Sequence, residues 1–350
     1  MGEVRAMSGS KMSAEIHEQP EVLERILDEG WDEVLSASRV LRQGDLRSVM
    51  IAARGTSDNA ALYAKYPFEV LLGVPTALAS PSAFTFYEST MNLEGVLVVG
   101  ISQSGESQDV LETIRRSGEL GANTLTVTND ESSAMAKVGQ HHFFLRAGKE
   151  ESVAATKTYT AELMMLYLLA CALKGEERLG HDVRRLPELS REVLEAEWEG
   201  TERYRYAEYM VVTSRGYNLA TAEEAALKLM ETTYVVAQAF SAADLRHGPI
   251  AMIGHDFPVL VIASPGRAQP GMRSLVDNLR DRGAELVVVS DESTMLDKAS
   301  AKFPVPGSLP EELAPILCAI PIELLAENLA RLKGLNPDSP RGLSKVTETW

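Results

Sequence analysis

At 350 residues, 45% of them hydrophobic, the chain is long for a single core and can bury two sheets. Its formal charge of −16 argues against nucleic acid or an anionic membrane as partner, because both demand a basic footprint. There is no run of about 18 uncharged apolar residues and no basic-then-apolar leader, so a soluble cytoplasmic protein is expected.

Residues 14 to 43, within a leading segment 1–45, read as an amphipathic helical lead-in that packs without contributing chemistry. SVMIAARGTSDNA (48 to 60) reads as a strand running into a helix. VLVVGISQSGES (96 to 107) is more informative: apolar β-formers stop abruptly in a loop of serines and glycine, and QDVLETIRRSGEL (108 to 120) then has helical apolar spacing. A helix N-terminus offers unpaired N–H groups and the positive end of its dipole, and Ser102, Ser104 and Ser107 add hydroxyls around one anion. Such a cradle needs no Lys or Arg, and the loop has none. No lysine follows Gly105, and no GxGxxG follows a strand, so a phosphorylated small molecule is expected rather than a nucleotide. The adjacent His141-His142 reads as the start of a strand with at most one ring facing in, and no metal is assigned.

Residues 175 to 204 form a charged helical connection. Beyond it the first pattern returns: EYMVVTSRGYNLA (208 to 220) answers 48 to 60, VLVIAS (259 to 264) answers 96 to 102, and DNLRDRGAELVVVSDE (277 to 292) answers 117 to 130. The offset is about 162 residues throughout, the mark of an internal duplication. Each copy reads strand, helix, strand, loop, helix, strand, which predicts an α/β class fold of two duplicated domains, each a parallel sheet flanked by helices in an α/β/α sandwich. The copies are placed at 46–195 and 196–334, with a tail at 335–350. Cys171 and Cys318 lie in apolar helical stretches and are expected to be buried and reduced.

Six motifs in order carry a family resemblance: RGTS (54 to 57), SQSGES (102 to 107), ESVAATKTYT (151 to 160), EEAALKLMETTY (223 to 234), DLRHGPIAMI (244 to 253) and NPDSPRGLSKVT (336 to 347). The chain resembles the sugar isomerase (SIS) family, in particular the isomerase half of glutamine:fructose-6-phosphate amidotransferase and stand-alone SIS-type glucosamine-6-phosphate deaminases. The resemblance implies that Ser57, Ser102, Gln103, Ser104 and Ser107 hold a sugar phosphate and that Thr56, Val153 and Ala155 line the sugar. It implies Glu231 as the carboxylate moving a proton between C1 and C2, with Lys228 near it. His247 matches a ring-opening histidine donated by the neighbouring subunit of a homodimer. Lys345 matches a lysine that forms an imine with the ketose carbonyl, on a tail that folds over the sugar.

The chemistry needs such groups. Ring opening takes a group that both gives and accepts a proton near neutrality, as histidine does, and shuttling hydrogen between two carbons suits a carboxylate. Lys228 and Glu231, three residues apart on a predicted helix, share a face, and their attraction keeps the glutamate ionised. Lys345 attacks only when neutral, so a desolvated site or nearby cation is expected around it. Taken singly, Glu231 with Lys228 is a solvated ion pair, His247 a turn residue and Lys345 a surface lysine; their co-occurrence at family spacing favours the catalytic reading.

Two departures narrow the reaction. Met1 is followed by Gly2 and residues 1–45 cannot hold a glutaminase domain, so glutamine is not an expected substrate; Ala155 stands where the synthase has serine, and the ending KVTETW is like that of the deaminases. The expected reaction is glucosamine 6-phosphate and water to fructose 6-phosphate and ammonia, with no cofactor. A fructosamine-6-phosphate deglycase, a plain aldose-ketose isomerase and a non-catalytic sugar-phosphate sensor are the alternatives.

Overall fold

The computed structural model describes residues 9–345. Two five-stranded sheets, parallel throughout, make up its frame. The first contains β1 (Ser48–Ala52), β2 (Thr76–Leu78), β3 (Val96–Ser102), β4 (Asn123–Thr128) and β5 (His141–Phe144) in the order β2-β1-β3-β4-β5. The second contains β6 (Tyr209–Ser214), β7 (Val236–Ser241), β8 (Pro258–Ala263), β9 (Glu285–Ser290) and β10 (Ala301–Pro304) in the order β7-β6-β8-β9-β10. The two orders are the same permutation, with registers such as Val49↔Leu97 and Val211↔Val259, so the duplication extends to topology. The strands absent from the sequence reading are mainly edges. β2 has three residues behind Pro75, too few for a period, and β7 alternates exposed and buried positions in VAQAFS without a strong apolar run.

Alternation along the strands sorts the layers. Leu97, Val99 and Ile101 of β3 and Leu260 and Ile262 of β8 enter one continuous core between the sheets. Val98 instead packs outward with Ile114, and Val259 and Val261 pack outward with Leu275 and Leu279. The interlayer is built of helices, which we label in chain order: α1 (Thr56–Pro67), α3 (Lys157–Lys174), α4 (Leu219–Thr233) and α5 (Ala314–Leu332), with α2 (Gln108–Glu119) on the outer face of the first sheet. Every residue of α3 from Lys157 to Leu173 is buried, as expected of a helix with no polar stripe. The leading helices join the same core through Met12, Ile16, Val22 and Leu23, and the connection's helix, His181–Glu195, does so through Val183, Leu186, Leu189 and Val193. Cys171 and Cys318 are free and buried, and burial pushes both thiols up to about 12.

Gly100 sets the distance between β3 and α2. A Cβ there would stand 2.6 Å from Ile114 Cγ1 and 3.1 Å from Met135 Cε. Gly100→Ala is therefore expected to cost about 1–3 kcal/mol by overpacking, seen as a lower urea midpoint with an unchanged m-value.

Candidate active site

The order β2-β1-β3 sends the chain in opposite directions from β1 and β3, which leaves a crevice at their carboxyl ends where α/β sheets bind ligands. Both strand-to-helix turns open into it. After β1, Gly55 takes φ 57° and ψ −131°, a conformation that favours glycine, and delivers Thr56 and Ser57 to the first turn of α1. After β3, Gly105 at φ 68° turns against Ser133, whose Oγ would lie 2.2 Å from an added Cβ. Within that loop Ser102 Oγ lies 3.2 Å from Ser107 Oγ and accepts the Gly105 N–H, while Ser104 Oγ accepts that of Glu106 at 3.3 Å.

A cleft of about 320 Å³ results, lined by Thr56, Ser57, Ser102, Gln103, Ser104, Ser107, Val153, Ala155, Glu231 and Lys345, all expected from sequence. Arg54 also lines it and was not expected. Its guanidinium, half-exposed, holds the buried carboxylate of Asp109 in α2 at 2.5 Å, so a cation does stand at the rim, borrowed from the neighbouring turn. The Arg-Gly of RGTS and an acid in the first turn of α2 were the available signals.

The second copy contributes α4. Lys228 Nζ, fully buried beneath the cleft rather than lining it, contacts Glu231 Oε2 at 2.7 Å, Glu224 Oε1 at 3.2 Å and Thr56 Oγ1 at 3.0 Å. Glu224 in turn accepts from Thr56 Oγ1 at 3.0 Å and Asn59 Nδ2 at 2.7 Å, tying α1 to α4. Burial works to lower the Lys228 pKa, but the two carboxylates outweigh it and the net shift is upward, so Lys228 is a fixed ammonium and not a nucleophile.

A third wall is the loop 150–156. Glu150 accepts the N–H groups of Thr156 and Thr158 at 2.9 and 3.2 Å, Glu15 of the first helix, Lys11–His17, accepts those of Glu151 and Ser152, and the Asp338 carbonyl accepts that of Val153 at 3.2 Å. The lead-in thus positions the cleft wall, a role its amphipathic pattern does not reveal. In the tail, Arg341 stacks 4.2 Å from the Tyr234 ring centroid, and Leu343, Ser344 and Lys345 line the cleft. Residues 346–350 lie outside the described residues. Lys345 Nζ donates to Glu150 Oε2 at 3.1 Å and to the Ser152 carbonyl at 2.6 Å, so its close neighbours are acceptors where a nearby cation was one expectation.

His247 stands apart. It is exposed, on the turn after helix Ala242–Arg246, and does not line the cleft of its own chain. His142 Nε2 lies 2.8 Å from Thr128 Oγ1 inside the first domain. No group of three or more His, Cys, Asp or Glu able to hold a metal occurs among the described residues. No helix of the described residues is long and apolar enough to cross a membrane.

The corresponding crevice of the second copy is open, a cavity of about 750 Å³ whose lining includes Arg215, Gly216, Ser241, Arg267 and Glu311. Glu311 Oε2 accepts the Arg267 N–H at 2.8 Å, and a Cβ on Gly266 would lie 2.3 Å from the Glu311 carboxyl carbon. Its loop, SPGRAQ, has one hydroxyl, Ser264, where SQSGES has three, and Ser264 Oγ accepts from Asn218 Nδ2 at 2.7 Å.

The SIS domain model matches residues 45–172 and 204–316. The chain belongs to the SIS family. It is 35% identical over 342 residues to the glutamine--fructose-6-phosphate aminotransferase [isomerizing] of Methanothermobacter thermautotrophicus, covering 95% of this chain and 56% of that protein. This SIS chain therefore spans little more than half the length of that relative. Among solved structures it is similar to the C-terminal domain of glucosamine-fructose-6-phosphate aminotransferase from Francisella tularensis, with a TM-score of 0.83, 25% identity and coverage of 97% of this chain and 100% of that one. It shares the fold of glucosamine-6-phosphate deaminase from Thermotoga maritima, with a TM-score of 0.78, 23% identity and coverage of 97% and 100%.

The Asp338 carboxylate accepts the N–H groups of Lys11 and Met12, both at 2.9 Å, at the start of the first helix. Asp338→Ala is expected to cost about 1 kcal/mol, the worth of an N-terminal cap, and to speed proteolysis within 339–345. Denaturation and limited proteolysis check both.

Proposed function

We propose that this SIS chain is a phosphosugar isomerase acting as a glucosamine-6-phosphate deaminase. The observation that carries the reading is that Glu231, anchored by Lys228, and Lys345 face the same cleft as the hydroxyl-rich turn of Ser102 to Ser107. The phosphate is held by Ser57, Ser102, Gln103, Ser104 and Ser107 at two helix N-termini. The sugar then extends past Thr56, Val153 and Ala155 toward Glu231.

In the opened aldehyde, Glu231 takes the proton from C2, giving an enolamine, and returns it to C1. C1 becomes a hydroxymethyl group and C2 an imine. Water adds to C2 and the nitrogen leaves as ammonia, so glucosamine 6-phosphate and water yield fructose 6-phosphate and ammonia with no oxidant. Lys345 can displace ammonia at C2 and be released by the same water, once its amine leaves Glu150 and loses a proton. Ring opening falls to His247 of a second copy in a homodimer, a reading supported by its exposure and its absence from the lining of its own cleft.

A second reading has support from Ala155, whose small side chain lines the cleft and leaves room for a bulkier amine, as a fructosamine-6-phosphate deglycase requires. Ammonia and fructose 6-phosphate forming in equal amounts from glucosamine 6-phosphate, without glutamine or added metal, is the result expected of the deaminase. Release of a larger amine from fructosamine 6-phosphates, with no ammonia, assigns the deglycase instead.

Glu231→Gln is expected to lower kcat by at least about a thousandfold while leaving fructose 6-phosphate binding intact in calorimetry. An active variant removes Glu231 as the base. Mixed dimers of His247→Ala and Glu231→Gln chains are expected to regain part of the lost activity, because one of their two sites has both groups intact. Verified mixed dimers that stay inactive place the whole site in one chain.

A further inference from the structure

Among the buried acids, Glu162 has no part in the chemistry above and sits directly behind the cleft. It lies on the wholly buried α3, and its side chain is essentially inaccessible to solvent. Oε1 is 2.8 Å from Ser57 Oγ, and Oε2 is buried with no hydrogen-bond partner. The charged groups that act on it, Glu150 and Glu224, are themselves acids. A carboxylate in such a place would keep one oxygen bare and out of reach of water, while the cations Lys228 and Lys345 are already paired with Glu224 and Glu150, a cost that a carboxyl avoids by taking up a proton. Burial accordingly holds the Glu162 carboxyl well above the usual range, against the hydrogen bond with Ser57 that lowers it.

The protonation state decides what Ser57 shows the cleft. A serine hydroxyl has one hydrogen to give. Were Glu162 ionised, that hydrogen would point back at Oε1, and Ser57 would meet a phosphate with its lone pairs. With a neutral acid the direction reverses. We infer that Glu162 is a positioning residue, a neutral acid that donates its proton to Ser57 Oγ and thereby aims the Ser57 hydrogen at the substrate phosphate. This rests on the phosphosugar reading of the cleft. Glu162 touches no substrate; its effect passes through one oriented hydroxyl, so it acts on binding and not on proton transfer at C2.

The test compares Glu162→Gln, which stays neutral and keeps an N–H to give, with Glu162→Leu, which has nothing to give. Calorimetry with fructose 6-phosphate and with inorganic phosphate reads affinity, and turnover reads KM against kcat. Glu162→Gln is expected to bind within about twofold of the parent. Glu162→Leu is expected to weaken binding and raise KM about tenfold, the worth of one hydrogen bond to a charged group, with kcat nearly unchanged. In a Ser57→Ala background the Leu substitution should add nothing. Infrared spectra of the parent should contain a buried carboxylic-acid C=O band that Glu162→Gln lacks, a readout that stands even if the Leu variant does not fold. Absence of that band, a Gln variant as weak as the Leu variant, or full additivity with Ser57→Ala overturns the inference. A parent that binds neither probe overturns the substrate reading and with it the role of Ser57, while the infrared band reports the state of Glu162 separately.

Discussion

One buried cation organises the molecule. Lys228 is wholly enclosed between the two copies of the fold, and a lone ammonium there would cost several kcal/mol, on the order of the desolvation penalty for any buried ion. It is tolerable because Glu224 and Glu231 sit at i−4 and i+3 on its own helix and Thr56 Oγ1 meets it from the other copy. Those partners fix the register of α4 against α1. They also fix Glu231, the proposed base, at the edge of a cleft made mostly by the first copy. Structural necessity and the proposed chemistry use the same charge.

The anion problem is solved in the opposite way. Against a net charge of −16, the phosphate of the proposed substrate gains nothing from the global field and would be held by local dipoles. Two adjacent helix N-termini supply them, with serine hydroxyls between and Arg54 at the rim already committed to Asp109. The second copy has the same backbone device, and there the chain's own Glu311 accepts the Arg267 N–H at the wall of an open cavity. The duplication has therefore divided labour. The first copy contributes the hydroxyl-rich turns of the cleft, and the second contributes Glu231 and Lys228 on α4.

This division explains what the sequence could and could not reveal. The loop after Val96–Ser102 was legible because strand and helix patterns stop on either side of it, and Glu231 with Lys228 was legible from helical spacing within a family motif. Topology followed from the repeat, although β2, with three residues, lacked a pattern to detect. Glu15, Glu162 and Asp338 were not legible. Each acts on residues far away in the chain: Glu15 on the backbone of Glu151 and Ser152, Glu162 on Ser57, and Asp338 on Lys11 and Met12. No local period encodes such a pairing. An acid on the lead-in looks solvated until the fold brings a loop with unpaired N–H groups to it.

The same long-range pairings suggest why the cleft can be both held and opened. Its floor, α1 with α4, is locked by buried charge, whereas the wall at 150–156 and the tail over it are joined by backbone hydrogen bonds and by Lys345 reaching Glu150 and the Ser152 carbonyl. In the proposed reaction a sugar phosphate enters past the tail, and an imine at C2 is then kept from bulk water except for the one molecule that hydrolyses it. The lysine on the tail couples these demands in that reaction, because Lys345 already lines the cleft and must leave Glu150 to attack C2.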